Sequence, residues 1–289
     1  MPHDLRALQS RHSAPGAAIA EDRHGLVYID IATSAATARV YLQGAHVTRY
    51  QPADSEPVLF LSARSQFLPG KPIRGGIPVI FPWFGPHPSD TARPAHGWAR
   101  TSPWQLDRVT RDDDGATLTL SLGADPFALA YTVRVGHELR VELCVVNTGA
   151  APVTFEEALH TYLAVKDVRQ VRLEGLDNHD YLDKTDHGRR KTQSGPVTFT
   201  GETDRVYLDT SDAVTVHDPA AGRRIVVSKE HSDTTVVWNP WVEKAKRMPD
   251  FGDDEWPRML CVESANAAEN AVTLGPGGRH TLRATVREE

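Results

Sequence analysis

At 289 residues, with 32 Lys and Arg against 38 Asp and Glu, the chain carries a formal charge of −6 at pH 7. That mild acidity argues against nucleic acid as a partner, because phosphate backbones call for clustered cations. With 40% hydrophobic and 24% charged residues, and 21 Gly and 20 Pro, the composition excludes a collagen-like or generally disordered chain and describes a globular one with a sizeable core.

The first dozen residues carry the earliest helical pattern. Asp4, Arg6 and Arg11 fall there without an apolar stretch, so no signal peptide is expected. No apolar run approaches the ~18 residues of a membrane span, so no membrane partner is expected and a cytoplasmic location is the default. Short apolar or alternating runs then follow at 26–31, 37–42, 117–122, 138–146, 152–159, 197–200, 213–217, 223–228, 234–238, 259–263 and 281–286. Leu118, Leu120 and Leu122 take one side and Thr119 and Ser121 the other; Leu139, Val141, Leu143 and Val145 alternate with Arg140, Glu142 and Cys144. Period 2 with one polar face marks half-buried antiparallel strands. Asp112-Asp113-Asp114-Gly115 reads as a hairpin turn, and 241–248 as a second short helix. Many strands without interleaved helices predict an all-β fold, a large antiparallel sandwich or barrel. No linker, repeat or low-complexity block divides it. One domain, 1–289, is expected, with 1–25 an extension packed on it.

Cys144 and Cys261 stand 117 positions apart with no CxxC, which supports neither a disulfide framework nor a cysteine-based zinc site. Dinucleotide, P-loop and nucleophile-elbow motifs are absent. His179, Asp180, Asp183 and His187 could gather a metal, but in so polar a segment they read as a solvated loop. The acidic stretch 250–255 reads the same way.

Four segments hold residues suited to chemistry. In the first, 74–104, Gly75-Gly76 permits backbone angles other residues resist, beside Arg74, which could grip an anion bidentately. Pro78 and Pro82 break the following apolar run and argue against a regular central strand. It reads as a buried loop packing Trp83 and Phe84, followed by His96-Gly97-Trp98-Ala99-Arg100. Arg74 and Arg100 could equally be structural ion-pair partners. In the second, 155–162, strand geometry places Glu156, Ala158, His160 and Tyr162 on one face. His160 is suited to proton transfer near neutrality, though a strand histidine is commonly a packed residue. In the third, 259–263, Leu260 and Val262 face one way, and Met259, Cys261 and Glu263 the other. Glu263 could be a solvated strand end or, with a burial-raised pKa, a general base. In the fourth, Asp204 opens a short strand, where a turn cap is the plain alternative.

Taken in order, RGGIPV–FPWFG, HGWAR, ALHTY, TDRVY, WNPW-EKA and MLCVE resemble the hexose-6-phosphate mutarotases (glucose-6-phosphate 1-epimerases) of the aldose 1-epimerase superfamily, relatives of galactose mutarotase. The match runs from roughly residue 26 to the C-terminus. The resemblance implies a galactose-mutarotase-type β-sandwich with the sugar on a concave sheet face. It implies His160 as general acid and Glu263 as general base, Arg74 and Arg100 as ligands of the substrate phosphate, Asp204 as a sugar contact, and His96 touching sugar or positioning Arg100. The partner is then a phosphorylated sugar, with no metal or other cofactor, in a monomer sooner than a dimer. Some family members place Gln before the HG pair where this chain has Ala95. Competing readings are an aldose 1-epimerase of free sugars, a non-catalytic carbohydrate-binding protein, and a sandwich lyase or glycosidase; the last would need a pair of suitably spaced carboxylates.

Overall fold

The computed structural model describes residues 4–289. Alternating segments pair into two large antiparallel sheets. The nine-stranded sheet has at its middle the strands Arg223–Glu230, Arg279–Glu288, Leu139–Asn147, Phe127–Val135 and Gly115–Ala124. The eight-stranded sheet runs from Arg189–Thr192 through Asp180–Asp183, Thr203–Leu208, Thr234–Asn239 and Met259–Asn266 to Glu157–Leu159 and Val79–Ile80 at the far edge. One apolar cluster joins their facing sides: Val141, Leu143, Val216, Ile225 and Leu282 from the first meet Leu159, Leu163, Val237, Leu260 and Val262 from the second. Burying those surfaces at about 25 cal/mol per Å² is the main drive for the sandwich.

Strand Met259–Asn266 is buried throughout, and its two faces part as the sequence predicts. Leu260 and Val262 enter the core between the sheets, whereas Met259 and Cys261 join Tyr162, Trp238 and Phe251 on the other side. Glu263 shares their parity and stands on that outer face. The predicted hairpin forms, with Asp112 opposite Gly115. The first helix spans Leu5–Arg11, with the Asp4 carboxylate accepting from Ala7 N–H, and Leu5 and Leu8 pack on the main core. No helix among the described residues is long and apolar enough to cross a membrane.

Three expectations need correction. Neither the run at 152–159 nor the segment 155–162 is one strand: this stretch divides into Val153–Phe155, Glu157–Leu159 and Tyr162–Ala164. Thr161 N–H turns back on the Leu159 carbonyl at 2.9 Å, and His160 N–H bonds Pro78, so His160 sits at a break. Residues 180–183 form a strand of a hairpin, because Lys191 bonds the Asp183 carboxylate at 2.8 Å and Thr192 bonds Asp180 at 2.6 Å. Nor is 250–255 a solvated loop. Glu255 is buried and accepts from Ser62 Oγ, Ala63 N–H and Gly252 N–H at 2.6–2.9 Å, clasping this segment to the one that leads to Arg74.

Candidate active site

The loop bearing Arg74 is shaped by its two glycines. Gly75 (φ +118°) and Gly76 (φ +64°) lie in the left-handed region, and a Cβ on Gly76 would come within 2.1 Å of the Val47 carbonyl oxygen. Gly97 plays the same part in the second loop: φ is +71° and a Cβ would lie 1.9 Å from the Phe81 carbonyl oxygen. These close approaches turn Arg74, His96 and Arg100 towards the outer face of the eight-stranded sheet.

There they meet residues from the strands. His160, Glu263, Arg74, Arg100, Asp204 and His96 all line one cleft of about 630 Å³. That volume suits a small organic ligand. His160 Nε2 lies 3.3 Å from Glu263 Oε1, and both side chains are buried. The His160 ring stacks on Tyr162 with centroids 4.7 Å apart and planes 12° from parallel, while Trp238 and His96 stand edge-on to it. Four neighbours thus fix the imidazole plane.

Burial governs the charges. Desolvation, then the positive Arg100 and Arg74 nearby, hold His96 down at about 3. The same burial, with His96, Arg100 and Arg74, pulls His160 well below its ordinary 6.5. Burial and the nearby Asp204 push Glu263 well above 4.5. A histidine disfavoured as a cation beside a carboxyl disfavoured as an anion favours a neutral pair. That pair holds one proton, and moving it from Glu263 to His160 produces imidazolium and carboxylate without exchange with solvent.

Arg74 makes a forked contact to Asp250 Oδ2 through Nε and Nη2 at 3.2 and 3.1 Å, and its Nη1 donates to Tyr162 Oη at 3.0 Å. The ion-pair alternative therefore holds for Arg74. It does not hold for Arg100: among the described residues Arg100 has no carboxylate partner, only the Ala95 carbonyl at 2.7 Å, and burial with the Arg74 charge brings it down to about 10. Ala95 lines the cleft. Asp204 is not a turn cap; it lies within strand Thr203–Leu208, 3.6 Å from Lys244 Nζ, with burial raising its pKa.

Sequence reasoning missed several residues of this wall. Lys184, Lys244, Trp238 and Met248 line it. Lys244 stands in the WNPW-EKA string, so a signal existed without a role attached. Asp250 was hidden in an acidic run, and nothing in its spacing points to Arg74. A second, shallower hollow of about 260 Å³ at Arg172, His217, Arg223 and Arg224 offers less, since Glu174, Glu288 and Glu289 already pair its cations.

Known proteins share this chain's sequence pattern and fold. Residues 28–287 match the family model described as Aldose 1-epimerase. Proteins named "Putative glucose-6-phosphate 1-epimerase" from Cenchrus ciliaris and Escherichia coli K12 are 37% and 38% identical, covering 83% and 79% of this chain and 78% and 79% of their own. A structure titled "Crystal Structure of a putative mutarotase (YeaD) from Salmonella typhimurium in monoclinic form" superposes with a TM-score of 0.89 at 29% identity over 99% of both chains. A galactose mutarotase-like protein from Lactobacillus casei, at 18% identity and a TM-score of 0.70 over 91% of this chain and all of its own, shares the fold. A family match over nearly the whole length, with relatives well above 30% identity, places this chain in the aldose 1-epimerase family.

Proposed function

We propose that the protein interconverts the α and β anomers of a hexose 6-phosphate, glucose 6-phosphate first, with His160 as general acid and Glu263 as general base. The observation that carries the reading is the buried His160–Glu263 pair, 3.3 Å apart, in the same cleft as two guanidinium groups. The relatives' names supply the substrate.

Anomer exchange needs the C1 hydroxyl proton removed and the ring oxygen protonated. Glu263 takes the first proton and the His160 imidazolium gives the second, so the C1–O5 bond breaks to leave the open aldehyde. Rotation about C1–C2 presents the other carbonyl face. Reversed transfers close the opposite anomer and restore the pair. Neither a free alkoxide nor an oxocarbenium ion has to form, and each group contributes about 10²–10⁴-fold. The neutral resting pair already holds the single proton this cycle passes round.

Arg74 and Arg100 hold the 6-phosphate, Asp204 and His96 contact the sugar, and the remote phosphate supplies binding energy that orients the reacting end. Burial supports Arg100 in that role: a guanidinium without a carboxylate partner in a desolvated cleft gains strongly from a dianion. The protein acts as one domain, and a cytoplasmic setting fits a phosphorylated substrate.

Two-dimensional NMR exchange of glucose 6-phosphate anomers tests the reading. Wild type should accelerate exchange above the spontaneous rate, and folded His160→Gln and Glu263→Gln should not. Equal acceleration of free glucose would point instead to an epimerase of unphosphorylated sugars; sugar binding with no acceleration would point to a binding protein.

A further inference from the structure

Cys261 is the group beside the pair for which the acid–base cycle has no use. It projects from the same face of strand Met259–Asn266 as Glu263, two residues away, and pairs across the sheet with Tyr162. Its Sγ, a carboxylate oxygen of Glu263 and an imidazole nitrogen of His160 all lie within 4.8 Å of one another. The three side chains are buried, and two of their polar atoms, Glu263 Oε2 and His160 Nδ1, have no hydrogen-bond partner. Unpartnered buried polar atoms are costly unless a ligand satisfies them.

Thiolate, imidazole and carboxylate together are the donor set of zinc, and a poor one for magnesium or calcium, which take oxygen. We propose that His160, Cys261 and Glu263 form a site for a soft divalent cation, zinc first, with the fourth position left to water, and that the enzyme so loaded no longer exchanges anomers.

The geometry needs only local adjustment. Zinc–ligand bonds of about 2.0–2.3 Å set tetrahedral ligand atoms roughly 3.3–3.8 Å apart. Donors within 4.8 Å of one another must close by about 1 Å, a displacement that small side-chain rotations supply. Charge also closes: the cation's two positive charges meet one thiolate, one carboxylate and one neutral imidazole. The thiol proton, and the carboxyl proton where Glu263 holds one, leave to solvent, and nothing is oxidised or reduced. Arg74 is already engaged by Asp250 and Lys244 lies 3.6 Å from Asp204, while Arg100 and Lys184 line the same cleft without a carboxylate partner among the described residues. Burial pushes the Cys261 thiol well above its ordinary value, so it is inert until a metal displaces its proton.

Binding rests on the geometry alone; its effect on exchange rests on the proposed roles of His160 and Glu263. Bound metal occupies the lone pair Glu263 uses as a base and an imidazole nitrogen of the acid.

Cobalt(II) titration of the metal-free protein tests the first part, because a tetrahedral thiolate site gives intense visible d–d bands and a near-ultraviolet thiolate-to-cobalt band. We expect both to saturate at one equivalent, to be displaced by zinc, to persist in Cys144→Ser and to vanish in Cys261→Ser. Cys261→Ala provides a second variant should serine disturb folding, which circular dichroism monitors. A weak octahedral spectrum, or a charge-transfer band that survives loss of Cys261, overturns the site. The second part is read by NMR exchange in saturating zinc against EDTA, each protein compared with its own EDTA rate. At least tenfold slowing, reversed by EDTA, is expected. Cobalt bands without slowing overturn the inhibition and remove support from the acid–base roles. Cobalt bands in a protein that does not exchange anomers even in EDTA leave the metal site standing and sink the proposed function.

Discussion

Arg74 and Asp250, 176 positions apart, are joined by two hydrogen bonds to a single carboxylate oxygen. The cation proposed to bind phosphate thus already carries a partner, and incoming phosphate competes with it. Asp250→Asn keeps the shape and the Tyr162 bond but removes the negative charge. The KM for glucose 6-phosphate is expected to fall about 3–10-fold, most at low salt, with kcat nearly unchanged. An unchanged KM at low ionic strength would show that Arg74 does not meet the phosphate.

Under the proposed acid–base roles, the His160–Glu263 pair sets the pH profile, because exchange then requires one proton on the pair. Loss of that proton at alkaline pH leaves a base without an acid, and a second proton at acid pH leaves an acid without a base. The rate, after subtraction of the spontaneous reaction, is expected to be bell-shaped between pH 5 and 9. The substrate's own phosphate ionises near pH ~6, so the alkaline limb is diagnostic. A flat alkaline limb would reject the shared-proton cycle.

Glu263 also costs stability. Its folded pKa is raised from 4.5 by burial and Asp204, so the folded state holds this proton more tightly than the unfolded chain. That advantage is full below the unfolded value and is lost as pH rises through the folded one. Glu263→Gln is therefore expected to stabilise the protein by about 1 kcal/mol at pH 9, with little gain near pH 4.5, while exchange drops by about 10²–10⁴-fold. Chemical denaturation at both pH values measures it.

Lys229 offers a test away from the cleft. Burial lowers its pKa from 10.5 to about 7, against the opposing pull of Asp233 and Asp212, and its Nζ bonds only Thr210 and Thr235 hydroxyls. A depressed pKa means stability is greatest above the unfolded value and is lost as pH falls through the folded one. The two threonines already bond each other at 3.0 Å. Lys229→Met should raise stability by about 1–2 kcal/mol at pH 6 and by much less at pH 10; an equal gain at both would contradict the neutral buried amine.

Gly76→Ala probes the loop that aims Arg74. The left-handed φ of +64° and the Val47 carbonyl leave no room for a methyl group. Destabilisation above about 1 kcal/mol is expected, with a raised KM for phosphosugar in the protein that remains folded. Full stability would mean that the loop has a second conformation open to it.

What could be read along the chain is what depends on neighbours in sequence. Alternation in Leu139–Asn147 and Met259–Asn266 reports which side chains share a face, because the strand repeat is two residues. Gly75-Gly76 and Gly97 report tight backbone because only glycine adopts those angles without cost. Ordered motifs pointed to His160, Glu263, Arg74, Arg100, Asp204 and His96, and all six line one cleft. Other features needed the fold. Asp250 reaches Arg74, Glu255 reaches Ser62, and Cys261 comes near His160 only because segments remote in the chain are packed together. The break at His160 is set by its bond to Pro78, from another loop. Protonation states are likewise tertiary, since desolvation is a property of everything packed around a group: an acidic run read as solvent-facing proved partly buried, and burial is what pulls His160 down and pushes Glu263 up.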